Sequence, residues 1–147
     1  MFRHILAPTD GSPLSLAALA QAARLAREHG ARLTLFHALI DVPAPYEGPG
    51  TIGHGSFARD VREQLEAAAR EILDEAQARV AEAGVPCERC VAAGAHAHAL
   101  IIAAAEAGGC DLIFMASHGR RGLSALLLGS ETQKVLTHTR IPVLVYR

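Results

Sequence analysis

The chain has 147 residues, a net charge of −1 from 14 Lys and Arg against 15 Asp and Glu, and a hydrophobic half that includes only four Phe, two Tyr and no Trp. This length suits one domain over residues 1–147 with a real core, and the balanced charge argues against nucleic acid or a polybasic membrane anchor as partner. No apolar run approaches the roughly 20 residues of a membrane-spanning helix, and three cysteines make no disulfide framework, so a reducing cytoplasm is the expected location.

In chain order, short apolar runs alternate with longer amphipathic ones. Phe2–Ala7 is the first predicted strand, which the N-terminus enters without a signal-peptide apolar region. Ser12 is placed to cap a helix that accepts Pro13 in its first turn; Leu14, Ala18, Ala22 and Leu25 share one face, and Gly30 closes it. Arg32–Leu39 is the second strand. The segment Asp41–Ser56 contains three prolines and four glycines and is expected to be a long loop. A long helix over about Ala58–Ala83 follows, with Val61, Leu65, Ala68, Ile72, Ala76 and Val80 as its buried stripe and Gly84 and Pro86 as its stop. Cys87–Ala92 is the third strand, Ala95–Ala107 the third helix and Leu112–Ala116 the fourth strand. Ser130 is expected to cap a short fourth helix, with Gln133 completing a capping box, and Pro142–Tyr146 is the last strand.

Strands alternating with helices imply an α/β fold: a three-layer, Rossmann-like sandwich around a five-stranded parallel sheet with right-handed crossovers. Ligands of such sheets bind at the carboxyl ends of the strands, where the chain order reverses. Two segments fall there. Pro8-Thr9-Asp10 follows the first strand, and its carboxylate and carbonyls can hydrogen-bond a sugar or base. Met115 and Ala116 end the fourth strand, followed by His118, Gly119, Arg120 and Arg121 and, further on, by Gly129 and Ser130. Glycine lets the backbone approach phosphate oxygens closely. The Ser130 hydroxyl and the first-turn amides can donate to those oxygens, helped by the helix dipole.

The same residues carry a resemblance. Pro-Thr-Asp-Gly-Ser after the first strand, His37 at the end of the second, Ser117-His-Gly-Arg-Arg-Gly-Leu-Ser-Ala-Leu-Leu-Leu-Gly-Ser130 and the terminal Ile-Pro-Val-Leu-Val-Tyr are similar to the universal stress protein family along the whole chain. ATP-binding members of that family show Gly-x2-Gly-x9-Gly-Ser/Thr at this location. The resemblance implies strand order 3-2-1-4-5 and a homodimer joined through the last strand, residues 142–146. It also implies ATP, with or without Mg, held by Asp10 and Ala38 near the adenosine and by Gly119, Gly129, Ser130, Glu131 and Thr132 around the phosphates. Two positions depart from the pattern. Ala116 stands at the first motif glycine and gives up any positive-φ freedom the turn needs. Glu131 puts a carboxylate in the first turn of the helix, which suits the dipole but repels phosphate if it faces inward; Arg120 and Arg121 offset it.

Other constellations are weaker. Gly48-Pro-Gly-Thr-Ile-Gly53 spells a dinucleotide fingerprint but follows no strand directly, and Pro49 removes an amide. Cys87 and Cys90, with His96 and His98 downstream, spell a zinc set, yet positions i and i+3 of a strand point to opposite faces, so the thiols diverge. Cys110 is expected to be buried packing, and His118 to be a turn residue that orients its loop. No Ser-His-Asp or Cys-His grouping, convergent carboxylate pair or metal cage is evident, so efficient catalysis is not expected; the family resemblance implies a sensor or regulatory module in stress response. A nucleotide-free dimeric scaffold is the alternative. A nucleotidyl-transfer enzyme is a third reading, set back by the absence of Lys and Arg from Asp41–Ser56. The apolar edge strand favours dimerisation on physical grounds as well.

Overall fold

The central apolar runs become strands buried on both faces, while the two edge strands are only partly covered. In the computed structural model, which describes residues 1–41, 54–119 and 128–147, the chain runs β1 (His4–Pro8), α1 (Pro13–His29), β2 (Arg32–Ile40), α2 (His54–Ala81), β3 (Cys87–Gly94), α3 (Ala97–Ala107), β4 (Leu112–Ala116), α4 (Ser130–His138) and β5 (Val143–Tyr146). The strands form one parallel sheet in the order β3-β2-β1-β4-β5, with β1 at its centre.

Side-chain alternation divides each central strand between two cores. Ile5, Ala7, Leu33, Leu35, Leu112, Phe114 and Ala116 face α1 and α2, while Leu6, Phe36, Ile113 and Met115 face Ile101 and Ala105 of α3 and Val135 of α4. This is the three-layer arrangement implied by the alternating pattern. On α1, Ala18, Ala22, Ala23 and Ala26 are all buried and bring the helix backbone close to the sheet. Ser12 caps α1 as expected, its hydroxyl accepting the Ser15 N–H at 3.3 Å, and Gly30 ends it at φ 64°.

Several boundaries move. The first strand begins at His4 and ends on Pro8, whose missing amide is harmless there because the next ladder donor is Thr9 N–H, given to Phe36 O at 2.8 Å. On α2 the buried stripe runs through Ala69, Leu73, Ala76 and Val80, with Val61, Leu65 and Ile72 half-buried; Ala68 is exposed. The helical period places Ala69 and Leu73, not Ala68, in line with Ala76 and Val80. The third helix starts at Ala97, with His96 in extended conformation before it and giving no side-chain cap. The fourth helix is not capped by Ser130. Gly129 is its N-cap, and its carbonyl accepts the Gln133 N–H at 3.0 Å; Ser130 is already helical, and the Gln133 side chain donates to Leu128 O at 2.9 Å instead of closing a capping box.

Cys87 packs against the α1/α2 core and Cys90 against the α3/α4 core, so the two thiols diverge as strand geometry requires. Cys110 is buried, and burial pushes its thiol up to about 11. His4 is buried as well, with both ring nitrogens engaged: Nδ1 donates to Gly108 O at 3.0 Å, since a carbonyl can only accept, and Nε2 meets the Thr34 hydroxyl at 2.8 Å. Asp111 anchors the start of β1, accepting the Arg3 N–H at 3.0 Å and the His4 N–H at 2.9 Å. Desolvation raises this carboxyl, but the amides of His4 and Arg3 outweigh it and hold the group below its ordinary value.

Replacing Ala22 by Leu overpacks the α1–sheet contact and is expected to cost about 1–3 kcal/mol in urea denaturation. Because the Asp111 pKa is depressed on folding, its contribution is present above the unfolded value of about 3.9 and is lost as pH falls through the folded one. Asp111→Asn should therefore be less stable than the parent at pH 7. The gap should close in denaturation curves taken below about pH 4.

Candidate functional site

The sheet order reverses between β1 and β4, where helices leave to opposite faces, and the turns after these two strands open a crevice at their carboxyl ends. After β1 the chain is held tightly. The Thr9 hydroxyl pairs with Ser15 Oγ at 2.8 Å and accepts the Gly11 N–H at 3.1 Å, and Thr9 O accepts the His37 Nδ1–H at 2.8 Å. The carbonyl expected to serve a sugar at Thr9 is thus already engaged, because β2 runs on past His37 to Ile40 and lays the imidazole beside it. Asp10 Oδ1 accepts the Ser12 N–H at 3.0 Å, which fixes the carboxylate at the crevice rim.

After β4 the chain is drawn back on itself. Ser117 N–H donates to Tyr146 O at 2.7 Å, and Ser117 O accepts the Gly129 N–H at 2.7 Å. The Thr132 hydroxyl, buried under the turn, donates to Ala116 O at 3.1 Å, tying the first turn of α4 to the end of β4. A Cβ on Gly129 would stand 3.1 Å from His118 Cα and 3.2 Å from Ser117 O, tight contacts with backbone that glycine avoids. A Cβ on Gly119 would clash with Asp10 Oδ2, so the second glycine makes room for the carboxylate arriving from the β1 turn. The Ser117 hydroxyl lies 3.1 Å from His118 Nδ1 and orients that ring, the turn role expected for His118. Ala116 is ordinary β-strand, and among the described residues no non-glycine has positive φ, so alanine at the first motif position strains nothing.

Glu131 does not stand alone in the first turn of α4. Its Oε2 accepts the backbone N–H of His98 at 2.8 Å and lies 3.1 Å from His98 Nδ1, while Oε1 accepts from Lys134 Nζ at 2.9 Å. Burial pushes the carboxyl up, but Lys134 and the amide and ring of His98 together hold it below the usual carboxylate range. The side chain thereby supplies the cap that His96 does not give to α3. The His98 ring also stacks at 5.7 Å from both His96 and His138. Among the described residues, no three His, Cys, Asp or Glu side chains form a group able to hold a metal ion.

The crevice has a volume of about 720 Å³, within the range of small-ligand sites. Pro8, Thr9, Asp10, Ala38, Met115, Ala116, His118, Gly119, Gly129, Ser130, Glu131 and Thr132 all line it. Arg120, Arg121 and the Gly48–Gly53 fingerprint lie outside the described residues. Sequence reasoning missed the apolar wall of Phe36, Ile40, Leu65 and Ile101, and also His37, Ala95, His96 and Ala97. The segment 95–97 follows β3, so the strand-end rule applied to every strand in turn would have found it. Leu65 reaches the site from the middle of α2, and no local signal marks it.

The universal stress protein family model matches residues 1–147. The chain is similar to a universal stress protein of Bacillus subtilis, 33% identical with both chains covered in full, and to one of Thermus aquaticus, 35% identical over the full length of both. Among solved structures, the hypothetical protein MJ0577 superposes with a TM-score of 0.83 at 26% identity, covering 99% of this chain and 96% of that one. A universal stress protein in complex with cAMP superposes with a TM-score of 0.72 at 24% identity, covering 99% of this chain and 97% of that one. One from Archaeoglobus fulgidus in complex with dAMP gives 0.72 at 17% identity, covering 100% and 98%. The last two share the fold with this chain.

The two glycines predict different outcomes. Gly129→Ala meets backbone on both sides and is expected to destabilise by about 1–3 kcal/mol. Gly119→Ala meets only the end of the Asp10 side chain, which can rotate away by giving up its bond to the Ser12 N–H, and should cost about 1 kcal/mol while displacing that carboxylate from the crevice. Thermal and urea denaturation of the two variants rank them; the reverse order would refute this account of the turn.

Proposed function

Since this chain belongs to the universal stress protein family, we propose that it binds an adenine nucleotide in the crevice between the β1 and β4 turns and acts as a sensor or regulatory module. One observation carries this reading: a roughly 720 Å³ crevice in which the Asp10 carboxylate, the backbone around Gly119 and Gly129 and the N-terminus of α4 converge. The half-buried apolar wall beside Ala38 suits a purine ring, and Asp10 suits a ribose hydroxyl. The amides at the start of α4 suit phosphate oxygens. Solved proteins of the same fold hold cAMP and dAMP, which supports an adenine nucleotide as the ligand class.

In its finer form the proposal names ATP, with or without Mg, with Asp10 and Ala38 at the adenosine and Gly119, Gly129, Ser130, Glu131 and Thr132 at the phosphates. Arg120 and Arg121, which lie outside the described residues, belong to the same proposed phosphate-binding group. The protein acts as a single domain in the cytoplasm, in the response to stress. It dimerises through residues 142–146, where β5 is the sheet edge and Leu144 is exposed. Among the described residues, no helix is long and apolar enough to cross a membrane.

Isothermal titration with AMP and with ATP, each with and without Mg, tests the reading. Saturable binding is expected, and Asp10→Ala should weaken it by roughly tenfold or more through the lost charge-assisted hydrogen bond. No heat with any of these ligands, and no nucleotide in a heat extract of fresh protein, would leave the nucleotide-free scaffold in its place.

A further inference from the structure

At the helical end of the crevice, the first turn of α4 contributes an acidic residue, Glu131, to the lining. Glu131 lines the wall beside Ser130 and Thr132, and its side chain remains 40% exposed. Its carboxylate is not free to swing out of the way. Three donors from two helices fix it: the His98 amide at 2.8 Å, the His98 ring at 3.1 Å and the Lys134 ammonium at 2.9 Å. These contacts also favour its ionised form, so the position carries a negative charge held in place by its partners. Lys134, which does not line the crevice, compensates part of it through its contact with Oε1 at 2.9 Å.

Resting on the nucleotide reading above, we propose that Glu131 is a specificity-determining residue that sets how much phosphate charge the crevice accepts, favouring a nucleoside monophosphate over the triphosphate relative to a neutral side chain at the same place. The reason is Coulombic. Each further phosphoryl group adds negative charge near a carboxylate held by its His98 and Lys134 contacts, and the penalty grows with the charge of the ligand. The adenosine and first phosphate, held by the β1 turn and the glycine backbone, pay little of it. Lys134 acts through Glu131 as a positioning residue, by damping its field and holding its carboxylate in place.

The test is a titration of AMP and ATP, without and with Mg, into the full chain, Glu131→Gln, Lys134→Gln and the double variant. Glutamine keeps an oxygen for the His98 amide, so the α3 cap is retained, and circular dichroism confirms the fold. In Glu131→Gln, the affinity for ATP should rise roughly tenfold relative to that for AMP. That gain should shrink as salt is raised from about 0.01 to 0.5 M, which loss of a merely structural contact would not produce. Lys134→Gln should shift the ratio several-fold the other way, and should have no effect once Glu131 is Gln. If Glu131→Gln changes both affinities equally, or fails to fold while Lys134→Gln leaves the ratio untouched, Glu131 does not set selectivity although the crevice still binds nucleotide. If the parent chain binds neither ligand, the nucleotide reading and this inference fall together.

Discussion

The site depends on one close approach: Gly129 pressed against Ser117 and His118, with its N–H on Ser117 O at 2.7 Å. This contact brings the end of β4 and the start of α4 within hydrogen-bonding distance, though they are separated along the chain by residues 118–128. Ser117 N–H in turn reaches Tyr146 O, so the terminal strand is locked to the same point. The Thr132 hydroxyl on Ala116 O adds a third tie. A Cβ at 129 would crowd His118 and Ser117 and force these groups to shift by a few tenths of an ångström.

The Gly129 contact is matched from the other direction by the carboxylate of Asp10 filling the space where a Cβ of residue 119 would be. The two glycines therefore do different physical work. One admits backbone to backbone and decides where a helix begins; the other admits a side chain and decides what the crevice presents. Neither role needs a left-handed backbone, which is why Ala116, an extended strand residue, is tolerated at the remaining motif position.

Glu131 illustrates how a residue that looks like an obstacle acquires a structural partner. In its own helix it sits near an N-terminus that favours negative charge. In space it also caps α3, whose first turn gets no help from His96. One carboxylate thereby stabilises two helix starts and couples α3 to α4 at the edge of the crevice. The histidines at 96, 98 and 138 gather around the same point through ring contacts at 5.7 Å.

Much of this was legible in the residues alone. Apolar runs of strand length separated by amphipathic helices demand a parallel sheet buried on both faces, and the strand-end rule brings Asp10, Ala116, Gly119, Gly129 and Ser130 to one edge. Divergence of Cys87 and Cys90 follows from strand geometry alone. What lay beyond the sequence depends on distances between elements far apart in it. The cap on α3 comes from a residue 33 positions later, the Thr9 carbonyl is taken by a histidine of the next strand, and the start of α4 is set by a backbone contact rather than by its own serine. Local pattern and propensity determine which segments become strands and helices, because those preferences act within a few residues. Which hydrogen-bonding groups remain available to a ligand is decided only when the packed elements have satisfied one another, because a buried polar group takes whichever partner the tertiary structure brings within reach.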